Sequence, residues 1–216
     1  MPAPFEVEFK LRRKFKTLLK NKLDQTKSGI NEDAMGSNAD NAKKFQNITK
    51  EIFDYLFDKS QIAEGKLEIR NHSGENRRDI LFDISMCREY CFRDFLKNFN
   101  STHILCECKN TKEVSEFKKG IDQICRYTDT GSFGTFAIFV VRNKKEMKDQ
   151  QNFWARQNDR FILLLDDNDL KNLLDENVEQ HPFLYNSSEE TKMKWLLNST
   201  GANLILKKCM EQKTEF

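Results

Sequence analysis

Proline and glycine are scarce in this chain, with 3 and 8 residues among 216. Collagen-like and low-complexity chains are built largely from these two residues, so both classes are excluded. Long apolar runs are missing as well, since the longest are Thr135–Val141 and Phe161–Leu165. A helix that crosses a bilayer needs roughly 20 apolar residues. We therefore expect no membrane span and no membrane partner.

The chain also lacks an excess of charge of either sign, since 36 Lys and Arg residues face 34 Asp and Glu residues. Charged residues make up 32% of the chain and hydrophobic residues 38%. This composition is polar for a globular protein, but 18 phenylalanines supply large side chains for a core. We therefore expect a folded protein and not a disordered one.

Signals for export, for structural zinc and for disulfide bonds are missing too. Residues Met1–Glu6 have neither the basic start nor the apolar stretch of a secretory signal. The six cysteines include no pair or quartet with the spacing of a zinc site. Cys106 and Cys108, two residues apart on a predicted strand, are poorly placed for a disulfide bond. We therefore expect reduced thiols in a cytoplasmic protein.

Residues 5–24 are predicted to form a basic amphipathic helix. Four residues follow helical spacing and would form its apolar face, namely Leu11, Phe15, Leu18 and Leu19. From Lys10 to Lys22 there are seven basic residues and no acidic residue. Such a run indicates either an arm that contacts phosphates or the solvated face of a docked helix.

The rest of the chain alternates between helical and strand-like patterns. After a polar, linker-like stretch, the compact domain is predicted to begin near residue 41 with a helix that ends before Gly65. Strands are predicted over residues 66–71, 77–84, 103–109, 135–141 and 161–165. In the first of them, Leu67 and Ile69 would share one face. Helices are predicted over residues 112–127, 144–157, 169–174 and 191–206, and residues 86–100 are helical or irregular.

This order of elements predicts an α/β fold with a mixed central sheet that is flanked by helices and contains some parallel strands. It also predicts three regions. Residues 1–40 would form a basic helical extension and a polar linker, residues 41–180 the α/β domain, and residues 181–216 a C-terminal helical element.

The third predicted strand carries an unusual pair of charges. Side chains alternate along a strand, so Glu107 and Lys109 share a face and lie about 6.6 Å apart along it. A carboxylate and an ammonium on a strand this apolar must be solvated in a cleft or paired, because burying an isolated charge costs several kcal/mol.

The preceding strand carries Asp79 and Asp83 on one face. If the two strands are neighbours, Asp79 can approach Glu107. Two adjacent carboxylates repel each other, and a divalent cation is the usual reason to place them together. Oxygen ligands suit Mg²⁺ or Mn²⁺. Asp83 is an alternative ligand, and each charged feature taken alone also fits an ordinary surface pair.

Two strings of residues resemble the motifs of the PD-(D/E)XK superfamily of restriction-endonuclease-like nucleases. They are Arg77-Arg78-Asp79-Ile80-Leu81-Phe82 and Ile104-Leu105-Cys106-Glu107-Cys108-Lys109-Asn110. The resemblance implies a restriction-endonuclease-like core over residues 41–180. In that core Asp79, Glu107 and Cys108 would contribute to metal binding and Lys109 would be the catalytic lysine. Arg78 stands where the motif often has proline.

Further along, Gln123 and Tyr127 match a Q-x-x-x-Y motif found in a subset of these nucleases. The resemblance implies that both side chains face the active site from the helix after the E-x-K strand. It also implies that Met86–Asn100 is an insertion, because Asp79 and Glu107 are 28 residues apart. Gln46 and Glu51 lie where some members carry an extra acidic metal ligand, and the sequence leaves open which of the two, if either, points inward.

The implied activity is Mg²⁺-dependent hydrolysis of phosphodiester bonds in DNA, with Mn²⁺ as a substitute ion and RNA left open as a substrate. The resemblance also implies a role in restriction or phage defence, as a homodimer or within a larger defence complex. A set of basic residues would hold the phosphate backbone, namely Lys10, Arg12, Arg13, Lys14, Lys16, Lys112 and Arg126. The alternative hypothesis is a catalytically inactive module of the same fold that binds nucleic acid or a partner protein.

Overall fold

The computed structural model describes residues 4–26, 39–57, 62–70, 77–87, 90–110, 114–129, 133–142, 144, 160–179, 188 and 201–214. Within these ranges the helices are α1 (Pro4–Gln25), α2 (Ala39–Leu56), α3 (Tyr90–Lys97), α4 (Val114–Asp129), α5 (Asp167–Glu179) and α6 (Gly201–Thr214). The strands are β1 (Lys66–Arg70), β2 (Arg77–Asp83), β3 (His103–Lys109), β4 (Phe136–Val141) and β5 (Phe161–Leu165).

The five strands form one sheet in the order β1-β2-β3-β4-β5. The β1–β2 and β2–β3 pairs are antiparallel, whereas the β3–β4 and β4–β5 pairs are parallel. Every residue of β4 and β5 is buried, as expected for parallel strands that are covered on both faces. The predicted mixed α/β sheet flanked by helices is therefore confirmed.

The sheet separates two hydrophobic cores. One face packs against α2 and its neighbouring helices and includes Ile80, Ile104 and Ile138; we call this the α2-side core. The other face packs against α4 and includes Leu105 and Phe139; we call this the α4-side core. Because Glu107 and Lys109 have the same parity as Leu105 along β3, they lie on the α4 side of the sheet.

The predicted apolar face of the first helix is covered only in part, at Leu19 and at Phe15, whose ring centre lies 5.4 Å from that of Tyr55 on α2. Leu19 is fully buried, whereas Leu11, Phe15 and Leu18 are 57%, 43% and 47% exposed. α1 packs between α2 and α5, and its buried face is completed by Leu23 and by the polar residues Lys16 and Thr26. Lys16 is buried because its Nζ pairs with Asp175 of α5 at 2.8 Å. The partner helices, and not the apolar stripe, thus determine which face of α1 is covered.

The first strand contains a residue in the left-handed conformation. Glu68 has a φ angle of +55°, which few residues other than glycine adopt. The register places Leu67 and Ile69 opposite positions 80 and 78 of β2, which are two residues apart. Ile69 packs against the α4-side core, and Leu67 is 37% exposed. A shared face for Leu67 and Ile69 stays a prediction.

The described part of the C-terminal helix runs from Gly201 to Thr214 and so extends further than predicted, while residues 191–200 lie outside the described ranges. Of the helix predicted over 144–157, all but residue 144 also lies outside them. In α6 the Gln212 side chain forms two hydrogen bonds to the main chain of Leu164. Its Nε2 donates to the carbonyl at 2.9 Å and its Oε1 accepts from the amide at 3.2 Å. In the part of the chain that the structure describes, no helix is long and apolar enough to cross a membrane.

Candidate active site

Asp79 and Glu107 meet at the point where β2 and β3 separate. Regular pairing of the two strands runs as far as Ile80 and Cys106. One position further, Oδ2 of Asp79 accepts the backbone N–H of Cys108 at 2.8 Å. The Asp79 carboxylate is thereby fixed beside the end of β3 that carries Glu107.

Glu107 is the most deeply buried group of this site, with 1% of its surface exposed. Its Oε1 lies 2.9 Å from Nζ of Lys109, but its Oε2 is buried and has no hydrogen-bond partner among the described residues. Burial, followed by repulsion from Asp79, raises the pKa of Glu107 to about 8, although Lys109 acts in the opposite direction. The lysine therefore compensates the two carboxylates only in part.

Lys109 is held from two sides. Its Nζ contacts Oε1 of Glu107 at 2.9 Å and donates a hydrogen bond to Oε1 of Gln123 at 2.6 Å. Burial by itself lowers the pKa of Lys109, but Glu107 and Asp79 attract the ammonium and raise this pKa above its ordinary value overall. Lys109 therefore remains a protonated hydrogen-bond donor.

Gln123 and Tyr127 come to the site from α4, one helical turn apart. Tyr127 belongs to the α4-side core and is 4% exposed. Burial raises the pKa of its phenol, and the negative charges of Glu107 and Asp79 raise it further. The structure thus brings together the five residues predicted to be catalytic, with Tyr127 as a neutral phenol close to both carboxylates.

A glycine allows α4 to approach the sheet at this point. A Cβ atom at Gly120 would collide with the ring of Phe139 on β4 and would lie 3.2 Å from Cε of Lys109. Gly120 is therefore required by the close approach of α4 to the stem of Lys109, a requirement that the motif positions alone did not indicate.

The donor set fits a hard cation, although the described residues include no cluster of three His, Cys, Asp or Glu side chains that could hold one. Oε2 of Glu107, which has no hydrogen-bond partner in the described part of the chain, and the neighbouring Asp79 carboxylate are oxygen donors of the kind that Mg²⁺ prefers. The Cys108 thiol packs against the α2-side core, and burial and Cys106 raise its pKa, so it stays protonated. Cys108 can therefore contribute only its main-chain carbonyl, and waters would complete the coordination.

The structure distinguishes between the two residues considered for an extra ligand position. Nε2 of Gln46 donates a hydrogen bond to the backbone carbonyl of Asp79 at 2.7 Å, whereas Glu51 pairs with Lys22 at 2.7 Å and is well exposed. Asp83, the alternative to Asp79, lies opposite His103 at the other end of β3. Gln46 therefore belongs to the surroundings of Asp79, and Glu51 does not.

The basic residues predicted to bind phosphates are spread over both sides of the sheet. Arg12, Arg13 and Lys14 lie on α1, which packs with the helices of the α2-side core. These three residues are about 20 Å along α1 from its C-terminal end. Lys16 is buried against Asp175, and Arg126 is exposed on α4. The Lys10 side chain and Lys112 lie outside the described residues. The structure does not place the α1 cations beside the carboxylates.

A buried arginine behind the site was missed by the sequence analysis. Nε of Arg142 donates to Asn110 at 2.7 Å, and its two terminal nitrogens reach Asp167 at 2.8 Å and Thr26 at 2.5 Å. Its guanidinium also lies 3.9 Å from the ring centre of Phe45. Arg142 thus joins the chain just after β3 to the ends of α1 and β5. A charged residue directly after an apolar strand was the available signal.

No protein-family model, curated protein or solved structure matches the chain. What the site can do follows from its contacts. It combines two carboxylates whose negative charge Lys109 compensates only in part, the fixed ammonium of Lys109, an amide and a neutral phenol on one face of the sheet. Such a set can hold a divalent cation and donate hydrogen bonds to an anionic substrate.

Proposed function

We propose that the chain is a metal-dependent nuclease with a restriction-endonuclease-like core that hydrolyses phosphodiester bonds in DNA. One observation carries the proposal, namely the buried Glu107 carboxylate next to Asp79, one oxygen of which has no hydrogen-bond partner among the described residues. The order of the elements supports it as well. Asp79 lies on one strand of an antiparallel pair, the E-x-K residues lie on the next, and the Q-x-x-x-Y residues lie on the following helix.

In this proposal Asp79 and Glu107 hold the cation together with the carbonyl of Cys108. When bound, Mg²⁺ acidifies water and neutralises charge on a phosphoryl group. The bond from Cys108 to Asp79 and the contact from Lys109 to Glu107 keep both carboxylates in place before any substrate arrives. The carboxylate geometry is therefore preorganised, which is what electrostatic catalysis requires.

Lys109 acts as a donor and not as a base. Its raised pKa keeps the proton on Nζ at neutral pH, so the ammonium can stabilise negative charge that develops on the phosphate oxygens. Gln123 holds this ammonium through a 2.6 Å hydrogen bond. Tyr127, a neutral phenol, supplies a further hydroxyl group near the carboxylates.

A second candidate function is a module of the same fold that binds nucleic acid without cutting it. The placement of Arg12, Arg13 and Lys14 favours it, because these exposed or half-exposed cations lie on the opposite layer from the carboxylates. Phosphate binding by α1 would then proceed without bringing the backbone to Glu107.

The test is incubation of supercoiled plasmid with the protein and Mg²⁺, Mn²⁺ or a chelator. We expect nicking that requires the metal and that falls at least about a hundredfold in Asp79→Asn, Glu107→Gln and Lys109→Met. Asp83→Asn is the matched control, because Asp83 lies on β2 but away from Glu107. Matched DNA and RNA strands identify the substrate.

Absence of nicking with either metal, or full activity in Asp79→Asn, would overturn the nuclease. Retardation of DNA in a gel by a chain that does not cut it would support the second candidate. That retardation should then weaken when Arg13 and Lys14 are replaced by alanine.

A further inference from the structure

Asp79 lies beside an irregular position of β1 and just beyond the last register pair of β2 with β3. On the β1 side, the register places Asp79 opposite Glu68. Glu68 has a φ angle of +55°, a conformation that a residue with a side chain seldom adopts within a strand. On the β3 side, the last register pair is Ile80 with Cys106, one position before Asp79. The regular register of β2 with β3 therefore stops short of Asp79.

Two hydrogen bonds from outside β2 hold Asp79 at this point. Its side-chain Oδ2 accepts the backbone N–H of Cys108 at 2.8 Å. Its backbone carbonyl accepts Nε2 of Gln46 at 2.7 Å. Gln46 is 7% exposed, and it projects from α2, which is packed against the sheet. The side chain and the main chain of Asp79 are thus fixed separately, one by β3 and the other by α2.

Gln46 reaches Asp79 from the opposite side of the sheet to the rest of the site. α2 belongs to the α2-side core, whereas Gln123 and Tyr127 project from α4. Its amide nitrogen donates to the main-chain oxygen of Asp79 at 2.7 Å. This hydrogen bond connects Gln46 to the site through the main chain of Asp79.

We propose that Gln46 is a positioning residue that fixes the main chain of Asp79 and so directs its carboxylate toward Cys108 and Glu107. The effect on metal binding and cleavage rests on the proposed nuclease function, whereas the effect on the Asp79–Cys108 contact does not. Partners that orient a metal ligand typically change metal affinity by about 10–100-fold when they are removed.

The test compares Gln46→Met and Gln46→Leu with the native chain. Both variants retain the approximate size of Gln46, and neither has a hydrogen-bond donor in its side chain. Thr49→Val is the matched control, since Thr49 is a buried polar residue of α2 whose Oγ1 has no hydrogen-bond partner among the residues that the structure describes. Three quantities are measured, namely the Kd for Mn²⁺, the hydrogen-exchange rate of the Cys108 amide, and kcat and KM for plasmid cleavage.

We expect both Gln46 variants to bind Mn²⁺ about tenfold more weakly and to exchange the Cys108 amide faster. Cleavage should lose kcat at subsaturating Mn²⁺ and regain it at high Mn²⁺, while KM for DNA stays within about twofold. A residue that only stabilises the fold would shift the urea midpoint and leave the Kd for Mn²⁺ unchanged. Thr49→Val should match the native chain in every measurement.

Native Mn²⁺ affinity and native Cys108 exchange in the Gln46 variants would overturn the proposal, as would an equal loss in Thr49→Val. If Gln46→Met does not fold, Gln46→Leu decides the question by the same measurements. If the native chain binds no Mn²⁺ and cuts no nucleic acid, the nuclease function falls. Faster Cys108 exchange in the Gln46 variants would then still support the positioning role, and unchanged exchange would reject it.

Discussion

Nζ of Lys109 lies 2.6 Å from Oε1 of Gln123, although the two residues are 14 positions apart in the sequence. The first residue ends β3 and the second lies in the middle of α4. Their hydrogen bond connects the E-x-K residues of the sheet to the Q-x-x-x-Y residues of the helix. The position of the ammonium therefore depends on α4 as much as on β3.

Gln123→Leu should lower the rate of plasmid nicking by about a hundredfold, because an ammonium that moves by an ångström no longer meets the phosphate correctly. The urea midpoint should change little, since Lys109 keeps its contact with Glu107. Asp122→Asn, an exposed neighbour on α4, should retain native activity. A native nicking rate in Gln123→Leu would contradict the role given to this hydrogen bond.

Gly120→Ala should destabilise the protein, although alanine in a helix interior is normally about 1 kcal/mol more favourable than glycine. The added methyl group would collide with the Phe139 ring and press on the stem of Lys109, and overpacking of this kind costs about 1–3 kcal/mol. Urea unfolding of the variant measures the net loss. Ser115→Ala, at an exposed position of α4, should show none. A Gly120→Ala protein that is more stable than the native chain would contradict the close approach of α4.

The stability of the metal-free protein should fall as the pH rises from about 4.5 to about 8. Burial and repulsion from Asp79 raise the pKa of Glu107 from 4.5 to about 8, so in this range the native state holds a proton that the unfolded state has released. The contribution of this group to the free energy of unfolding then decreases by up to about 1.4 kcal/mol per pH unit. Above about pH 8 the contribution of Glu107 to the free energy of unfolding no longer changes with pH.

Urea unfolding in the presence of a chelator, at several pH values, tests this prediction. Glu107→Gln should remove the slope, because its amide does not titrate. The difference in stability between the native chain and this variant should therefore change with pH in favour of the variant. Parallel curves for the two proteins would show that Glu107 ionises at its ordinary pKa.

Arg142→Met should cost about 3–5 kcal/mol of stability, because it removes the buried ion pair of Asp167 and leaves that carboxylate in the interior. The double variant Arg142→Met/Asp167→Asn should recover part of this loss, since it also removes the buried charge. Free energies of unfolding of the native, single and double variants provide the comparison. A double variant no more stable than Arg142→Met would show that the ion pair does not dominate the cost.

The parts of the site that follow local periodicity were predictable from the sequence. Side chains alternate on a strand, which placed Glu107 and Lys109 on one face of β3. The i, i+4 spacing placed Gln123 and Tyr127 on one face of α4. Asp79 required one further assumption, that β2 and β3 are neighbours, and the register bears this out. The roles of these residues in catalysis stay a prediction.

The parts that depend on distant packing were not predictable. Leu11 and Leu18 follow the helical spacing of an apolar face, yet both are exposed, and α2 and α5 cover Lys16 and Leu23 instead. The sequence near α1 contains no information about Asp175, which compensates the buried Lys16. The Arg142 cluster was missed for the same reason, because its partners come from segments far apart in the chain.

The carboxamide of Gln212 gives the outer strand of the sheet a substitute neighbour. It offers Leu164 one donor and one acceptor, as the main chain of an adjoining strand would. Open sheet edges are where separate molecules join by strand addition and begin to aggregate. Because α6 occupies this edge at Leu164, growth of the sheet by a further chain there first requires the helix to leave.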